Sequence, residues 1–145
     1  MKSFGQKIEH IMVPSDNVNN FFGDDAEFEH AGIAVRSISD AVKGTKKTED
    51  PIQKVKVAFM HINNIKIELI EPITEKSPIT NILDKGQSLY HLCFRVPNIQ
   101  KALETARKHD FHCIARPVPA KAFNENKVAW VFSKVYGLFE LIEAE

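Results

Sequence analysis

The sequence predicts an α+β domain made of two related halves, and three features that occur twice along the chain predict it. The segment IKIELIEP at residues 65–72 returns as GLFELIEA at residues 137–144, so both copies contain Glu-Leu-Ile-Glu. Each half also has an apolar, β-prone run with a histidine near its start, EHAGIAV at 29–35 and YHLCFRV at 90–96. A helical pattern follows each of these runs. Self-similarity of this kind indicates an internal duplication in which each half repeats the same strands and helix.

Length, charge and cysteine content favour a single cytoplasmic domain with small-molecule partners. A chain of 145 residues has the length of one domain. Its 19 Lys and Arg residues balance 19 Asp and Glu residues, so we expect neither a nucleic-acid partner nor a membrane surface. The two cysteines, Cys93 and Cys113, form no CxxC pair, which fits a reducing compartment. No apolar run reaches the roughly 20 residues that cross a bilayer, and no signal peptide is recognisable.

The elements of the first half follow from caps, turns and the alternation of apolar residues. Ser37 is a suitable N-cap for a short helix that Gly44 ends. Asn63-Asn64 tolerates the positive φ angles of a two-residue turn and therefore predicts a hairpin. Residues 1–27 are expected to form an N-terminal extension of uncertain structure. The predicted elements are a strand at 28–35, the short helix, a loop at 45–50, and hairpin strands at 55–62 and 65–70.

A linking helix and the second half complete the chain. Ser77-Pro78 predicts the start of the linking helix, and Gly86 predicts its end. The clearest helical pattern of the chain follows Asn98, where four apolar residues recur at helical spacing. The segment 116–127 is predicted to be a long loop next to the site, and loops of that length are often binding segments. The second half is then expected to contain strands at 89–96, 113–115, 128–133 and 138–142.

Four polar side chains occupy equivalent positions in the two halves and form the predicted site. His30 and His91 lie in the first strand of each half, and Glu68 and Glu140 lie in the last. Because side chains alternate along a strand, each of the four opposes the more apolar face and can line a cavity. Two imidazoles and two carboxylates suit a divalent cation with open coordination positions, such as Ni, Co, Mn, Fe or Zn. Calcium and magnesium prefer all-oxygen cages and fit the set less well.

Other residues compete with this set or flank it. His10 lies in a second β-prone segment and is an alternative to His30, because the spacing between histidine and glutamate does not decide between them. The helical pattern that follows residue 35 favours His30. Glu71 and Glu143 follow the two site glutamates by three positions, so we expect them on the opposite strand face, at the surface. Of the remaining histidines, His61 is expected to be structural, and His109 and His112, which flank a helix terminus, are poor candidates for the site.

Several segments of the chain are similar to one known family. They are HAGIAV, PIQKVKVAF, IELIEP, SPI, YHLCFRV and LFELIE, and they cover most of residues 28–145. Together they resemble the vicinal oxygen chelate superfamily of glyoxalases and bleomycin-resistance proteins, and within it the methylmalonyl-CoA epimerases. The resemblance implies paired βαβββ modules that form a cupped mixed β-sheet, and a homodimer. It also places His30, Glu68, His91 and Glu140 on the four metal-ligand positions of the family.

The resemblance further implies a single domain at 28–145, and this chain departs from the family in that its first module is truncated. Module one spans 28–73, the linking helix 77–86 and module two 88–144. Module one is the shorter of the two, so its helix and the strand after it are expected to be reduced. Two positions depart from the epimerases: Tyr90 stands where they often carry another histidine, and residues 55–59 offer no additional carboxylate for an acid–base pair.

The ligand set and the resemblance predict a metal-dependent isomerase, epimerase or lyase that transfers a proton next to the carbonyl of a small molecule, such as a thioester. Glu140 is the predicted base, and Glu68 either stays on the metal or takes the reciprocal role. Lys121, Phe123 and Asn124 in the predicted loop are candidates for substrate binding, and a solvated loop is an equal alternative. Two other functions stay open, a non-catalytic small-molecule binding protein and an accessory subunit of the same fold.

Overall fold

The computed structural model describes residues 18–145, and within them eight strands form one mixed sheet. The elements in chain order are β1 (Glu27–Ala34), α1 (Ile38–Ala41), β2 (Thr48–Asp50), β3 (Val55–Ile62), β4 (Ile65–Pro72), α2 (Pro78–Asp84), β5 (Leu89–Val96), α3 (Ile99–Lys108), β6 (His112–Ala120), a 3-10 turn (Lys121–Phe123), β7 (Asn126–Ser133) and β8 (Gly137–Glu143). Across the sheet the strands follow the order β2-β3-β4-β1-β5-β8-β7-β6.

The sheet consists of two βαβββ modules joined at its centre. In each module the first strand pairs in parallel with the last, β1 with β4 and β5 with β8. The other pairs within the modules are antiparallel. An antiparallel pair of β1 and β5 joins the two modules. The right-handed twist of the strands curls this sheet into a half-barrel, which confirms the predicted α+β fold of paired modules.

The first module is truncated, as predicted. Its helix α1 has 4 residues, whereas α3 has 10. Its strand β2 has 3 residues, whereas the equivalent β6 has 9. The segment 45–50, predicted to be a loop, ends in this short strand because residues 48–50 pair with the edge of β3.

The helices α1 and α3 cover the convex face of the sheet and leave the concave face for the site. Helix α3 packs on module two, where Ile99 and Ala106 are 1% and 0% exposed. Helix α1 places Ile38 in the same role on module one. Because side chains alternate along β4 and β8, the apolar residues beneath the helices leave Glu68 and Glu140 on the concave face.

Glu71 and Glu143 are half-buried helix contacts and not surface residues as predicted. An oxygen of Glu71 accepts a hydrogen bond from the backbone N–H of Ile38 at 2.8 Å. An oxygen of Glu143 accepts one from the backbone N–H of Ile99 at 3.0 Å. Each carboxylate therefore satisfies an otherwise unpaired N–H at the start of the helix that crosses its strand, and its charge complements the helix dipole.

The segment 116–127 is largely strand, which corrects the predicted long loop. Strand β6 continues to Ala120, and β7 begins at Asn126 after one 3-10 turn. Pro117 and Pro119 lie within this strand, although proline removes a backbone donor from a sheet. Proline is tolerated here because β6 lies at the edge of the sheet, and its pairing with β7 is irregular between residues 115 and 118.

Among residues 18–145, none of the helices combines the length and the hydropathy that crossing a bilayer requires.

Candidate metal centre

The concave face brings four predicted residues together at the junction of the two modules. His30 lies on β1 and His91 on β5, the two strands whose pairing joins the modules. Glu68 lies on β4, next to β1, and Glu140 lies on β8, next to β5. Each module thus supplies one imidazole and one carboxylate. All four residues are at most 4% exposed.

The donor atoms of these residues converge on one point. The Nε2 atom of His30 lies 3.2 Å from Nε2 of His91 and 3.2 Å from Oε1 of both Glu68 and Glu140. The Nε2 atom of His91 lies 3.6 Å from Oε1 of Glu68 and 3.3 Å from Oε1 of Glu140. One donor atom from each residue lies within 4.8 Å of all the others.

These separations fit a bound divalent cation. Ligand atoms about 2.1 Å from a cation, at tetrahedral to octahedral angles, lie roughly 3.0–3.4 Å apart. Oε1 of Glu140 is also buried and makes no hydrogen bond of acceptable geometry, although two imidazole nitrogens lie near it. A bound cation would satisfy this otherwise unpaired acceptor. Two neutral imidazoles and two carboxylates would balance the charge of a divalent ion.

Gly32 makes room for the imidazole of His91. The two residues are directly opposed in the β1–β5 pair. A Cβ atom at position 32 would lie 2.1 Å from Cε1 and 2.4 Å from Nδ1 of the His91 ring. No other residue type leaves that space free, so the close approach of the ring to the β1 backbone requires glycine.

Aromatic rings pack against the two imidazoles. Phe59 pairs with Glu68 across β3 and β4, and Trp130 pairs with Glu140 across β7 and β8. The Trp130 ring lies 4.7 Å from the His91 ring at a steep angle. Phe123 stacks on His30 with ring centroids 5.4 Å apart.

Electrostatic interactions within the cluster are strong. Burial alone would raise the pKa of Glu140, but the contacts with His30 and His91 lower it to about 2. Burial raises the pKa of Glu68, and the nearby charge of Glu140 adds to this effect. Burial would lower the pKa of His30, but its hydrogen bonds with Cys93 and with the surrounding carboxylates raise it. The two carboxylates therefore differ: the contacts with the imidazoles favour the charged form of Glu140, whereas burial and the neighbouring charge of Glu140 disfavour the charged form of Glu68.

A cavity of about 590 Å³ opens onto the cluster, and Glu68 and Glu140 both line it. Its lining is mainly apolar and includes Tyr90 and Trp130. The indole N–H of Trp130 donates a hydrogen bond to Oε1 of Gln53 at 3.1 Å, which ties β7 to the turn before β3. The sequence did not identify Gln53 and Trp130 as cavity residues. The one available signal was that each lies in the strand or turn next to a strand with a site glutamate.

The three predicted substrate-binding residues separate in the structure. Phe123 is buried and lines the cavity. Lys121 is exposed at the start of the 3-10 turn and does not line it. Asn124 has a φ of 55° and faces a smaller polar pocket with Lys66. The turn causes the separation, because its tight winding sends consecutive side chains in different directions.

The other histidines stay outside the cluster. His61, His109 and His112 are exposed, as expected for residues without a role in the site. His10, the alternative to His30, lies outside the described residues, whereas His30 belongs to the cluster of four side chains described above.

Comparison with known proteins relates the chain to one superfamily. Residues 29–130 match the family model described as the Glyoxalase/Bleomycin resistance protein/Dioxygenase superfamily. The uncharacterized protein YqjC of Bacillus subtilis (strain 168) is 36% identical over 114 residues, which are 71% of this chain and 80% of that protein. The mitochondrial methylmalonyl-CoA epimerase of Homo sapiens is 28% identical over 116 residues, which are 72% of this chain and 66% of the human protein.

Solved structures share the fold. The crystal structure of methylmalonyl-CoA epimerase from Mycobacterium tuberculosis superposes with a TM-score of 0.71 at 20% sequence identity, covering 95% of each chain. At this identity the likeness concerns the arrangement of strands and helices.

Proposed function

From the premise that the chain belongs to the glyoxalase/bleomycin resistance protein/dioxygenase superfamily, we propose that it is a metal-dependent, epimerase-like isomerase acting on a small-molecule thioester. The observation that carries the proposal is the convergence of two buried imidazoles and two buried carboxylates at the wall of a large apolar cavity. The curated relatives named methylmalonyl-CoA epimerase support the reaction class.

The proposed ligands are His30, Glu68, His91 and Glu140. A divalent cation bound there would supply Lewis-acid chemistry, since it draws electron density from a carbonyl oxygen and makes the neighbouring C–H more acidic. The protein supplies the rest. Phe59, Phe123 and Trp130 exclude water from the imidazoles and hold the donor atoms in place.

Glu140 and Glu68 are the proposed proton-transfer residues. They belong to different modules and both reach the cavity, so they can approach one substrate carbon from two sides. Among the described residues, Asp50 is the other carboxylate that lines the cavity. Its Oδ1 accepts hydrogen bonds from the backbone N–H groups of Ile52 and Gln53 at 3.0 and 3.1 Å. The Asp50 carboxylate is therefore engaged in the hydrogen bonds of its own turn. We accordingly assign the acid and base roles to Glu68 and Glu140.

The cavity lining favours an acyl group attached to an anionic carrier. Its apolar walls suit an acyl chain, and Lys54, Lys76 and Arg116 also line it. Positive side chains there suit phosphate groups, which a coenzyme A thioester carries. Phe123 is the proposed substrate contact near the imidazoles.

The test combines metal analysis with proton exchange. Protein purified without chelators is expected to hold about one divalent cation per chain, and His91→Ala and Glu140→Ala variants are expected to lose it. Incubation with methylmalonyl-CoA in deuterated buffer is expected to replace the α-proton by deuterium, as followed by NMR. Glu71→Gln, which alters a half-buried carboxylate outside the site, serves as the matched control.

Two results would contradict the proposal. A wild-type protein that holds no divalent cation under any loading condition would remove the metal-dependent mechanism. A protein that holds the cation, binds acyl thioesters and exchanges no α-proton would be a binding protein of the same fold.

A further inference from the structure

A β-bulge precedes each of the two histidines. In the β1–β5 pair the register shifts between residues 28 and 30, which leaves Glu29 without a cross-strand partner. A second shift falls between residues 32 and 33 of β1, where Tyr90 of β5 is left over. An extra residue of this kind turns its side chain away from the regular alternation. The bulges therefore bring Glu29 close to His30 and Tyr90 close to His91.

Glu29 lies behind the imidazole of His30 and is firmly held. Its Oε1 lies 2.9 Å from Nδ1 of His30, the nitrogen that faces away from the cluster. Arg95 donates a hydrogen bond to the other oxygen at 2.6 Å, and the Lys66 ammonium lies 3.2 Å from Oε1. The Glu29 side chain is only 9% exposed, and its two cationic partners come from the neighbouring strands β5 and β4. The contacts with His30, Arg95 and Lys66 together fix the position of the Glu29 carboxylate behind the imidazole.

We infer that Glu29 is a positioning residue that keeps the proton of His30 on Nδ1 and directs the free electron pair of Nε2 to the other three donor atoms. The inference rests on the proposed function, because it assigns Glu29 to the cation that the four ligands would hold. A carboxylate hydrogen-bonded to a ligand histidine fixes the tautomer and the ring orientation, and it makes the imidazole a stronger donor.

His91 has no carboxylate behind its ring, because the residue that precedes it is Tyr90 and not a glutamate. Nδ1 of His91 is buried and has no hydrogen-bond partner. Tyr90 occupies the equivalent bulge and contacts the His91 ring through its own ring, with centroids 4.9 Å apart. The two imidazoles are therefore unequal, with His30 the more firmly oriented ligand and His91 held by packing against Tyr90, Trp130 and Gly32.

The test measures Co²⁺ binding to the metal-free, full-length chain in competition with a chromophoric chelator. Glu29→Gln keeps the size of the side chain and removes its charge, and it is expected to weaken Co²⁺ binding by about 10- to 100-fold. Glu71→Gln is the matched control, since it makes the same substitution in a half-buried carboxylate that contacts a helix and no ligand. Its Co²⁺ affinity is expected to equal that of the wild type.

A second measurement separates positioning from general stability. In the Co²⁺-loaded wild type, the Nδ1–H proton of His30 is expected to give a shifted NMR signal that exchanges slowly with water, because Glu29 holds it. In Glu29→Gln that exchange is expected to accelerate while the urea unfolding midpoint of the metal-free protein changes no more than in Glu71→Gln. Glu29→Ala, which removes the acceptor altogether, is expected to lose affinity to at least the same extent.

The outcomes distinguish this inference from the proposed function. Wild-type affinity in both Glu29 variants, with Co²⁺ bound at one equivalent, would overturn the role of Glu29 and leave the metal centre intact. Equal losses in Glu29→Gln and Glu71→Gln would also overturn it, because a general loss of stability would then explain both. Failure of the wild type itself to bind Co²⁺ would overturn the proposed function together with the inference.

Discussion

Substituting Gly32 by alanine tests whether His91 must keep its position for a metal ion to bind, because the added Cβ would collide with the His91 ring. The added Cβ would lie 2.1 Å from Cε1 of His91, so the ring must retreat by roughly 1.4 Å to reach a normal carbon–carbon contact. Trp130 and Tyr90 pack on the ring with centroids 4.7 and 4.9 Å away, and they oppose that movement. A shift of this size takes Nε2 of His91 out of reach of a cation held by the other three donors.

Gly32→Ala is expected to reduce metal affinity more than the substitution of a residue that only orients a ligand, such as Glu29. Altering a residue that only orients a ligand costs about 10- to 100-fold in affinity, and Gly32→Ala removes the ligand itself from its place. We therefore expect Co²⁺ binding to weaken by more than about 100-fold. Overpacking of the buried site should also destabilise the fold by about 1–3 kcal/mol.

The assay is Co²⁺ competition together with urea unfolding of the metal-free protein. Gly44→Ala serves as the control, because a Cβ there meets nothing within 4 Å, although its φ of +75° makes the substitution strained. That variant should lose stability by about 1 kcal/mol and keep the affinity of the wild type for Co²⁺. Unchanged Co²⁺ affinity in Gly32→Ala would refute the reasoning, since it would mean that His91 is free to move or is no ligand.

Three further predictions concern the cavity, the helices and the cation. Trp130→Phe removes the hydrogen bond to Gln53 and keeps a ring against His91, so unfolding experiments should show a loss of about 0.5–1.5 kcal/mol. Glu143→Gln weakens the contact with the first N–H of α3 and should cost about 1 kcal/mol by urea denaturation, whereas an unchanged midpoint would dismiss that contact as incidental. Co²⁺ at 100 times its Kd should stabilise the protein by about 2.7 kcal/mol, and a chelator should reverse the shift in melting temperature.

Local signals in the sequence predict the elements that depend on a few neighbouring residues. Strands β3 and β5 have the predicted bounds, and Ser37 and Ser77 cap their helices as expected, because a cap needs only its own side chain and the next backbone N–H groups. The duplication likewise locates the four converging side chains, since equivalent positions in equivalent modules lie at equivalent places around the junction.

Features that depend on pairing between distant strands escape such reasoning. Nothing in the residues before His30 shows that Glu29 is a bulge residue, because a bulge exists only relative to the opposing strand β5. Glu71 and Glu143 follow the alternation away from the site, but the sequence does not show that a helix start lies above each of them. The sequence predicts a strand at 113–115 but not its continuation to Ala120, since only the position of β6 at the sheet edge makes Pro117 and Pro119 acceptable.

The junction of β1 and β5 makes the centre a property of the pairing and of neither module alone. A chain cut between α2 and β5 would give two fragments, each carrying only half of the proposed ligands. A cation with affinity for all four would then act as a linker whose concentration controls how completely the fragments reassociate. In the intact chain, a cation would bind fully only when β1 and β5 are paired, so the fraction of chains that hold the cation would measure how many have the two modules correctly joined.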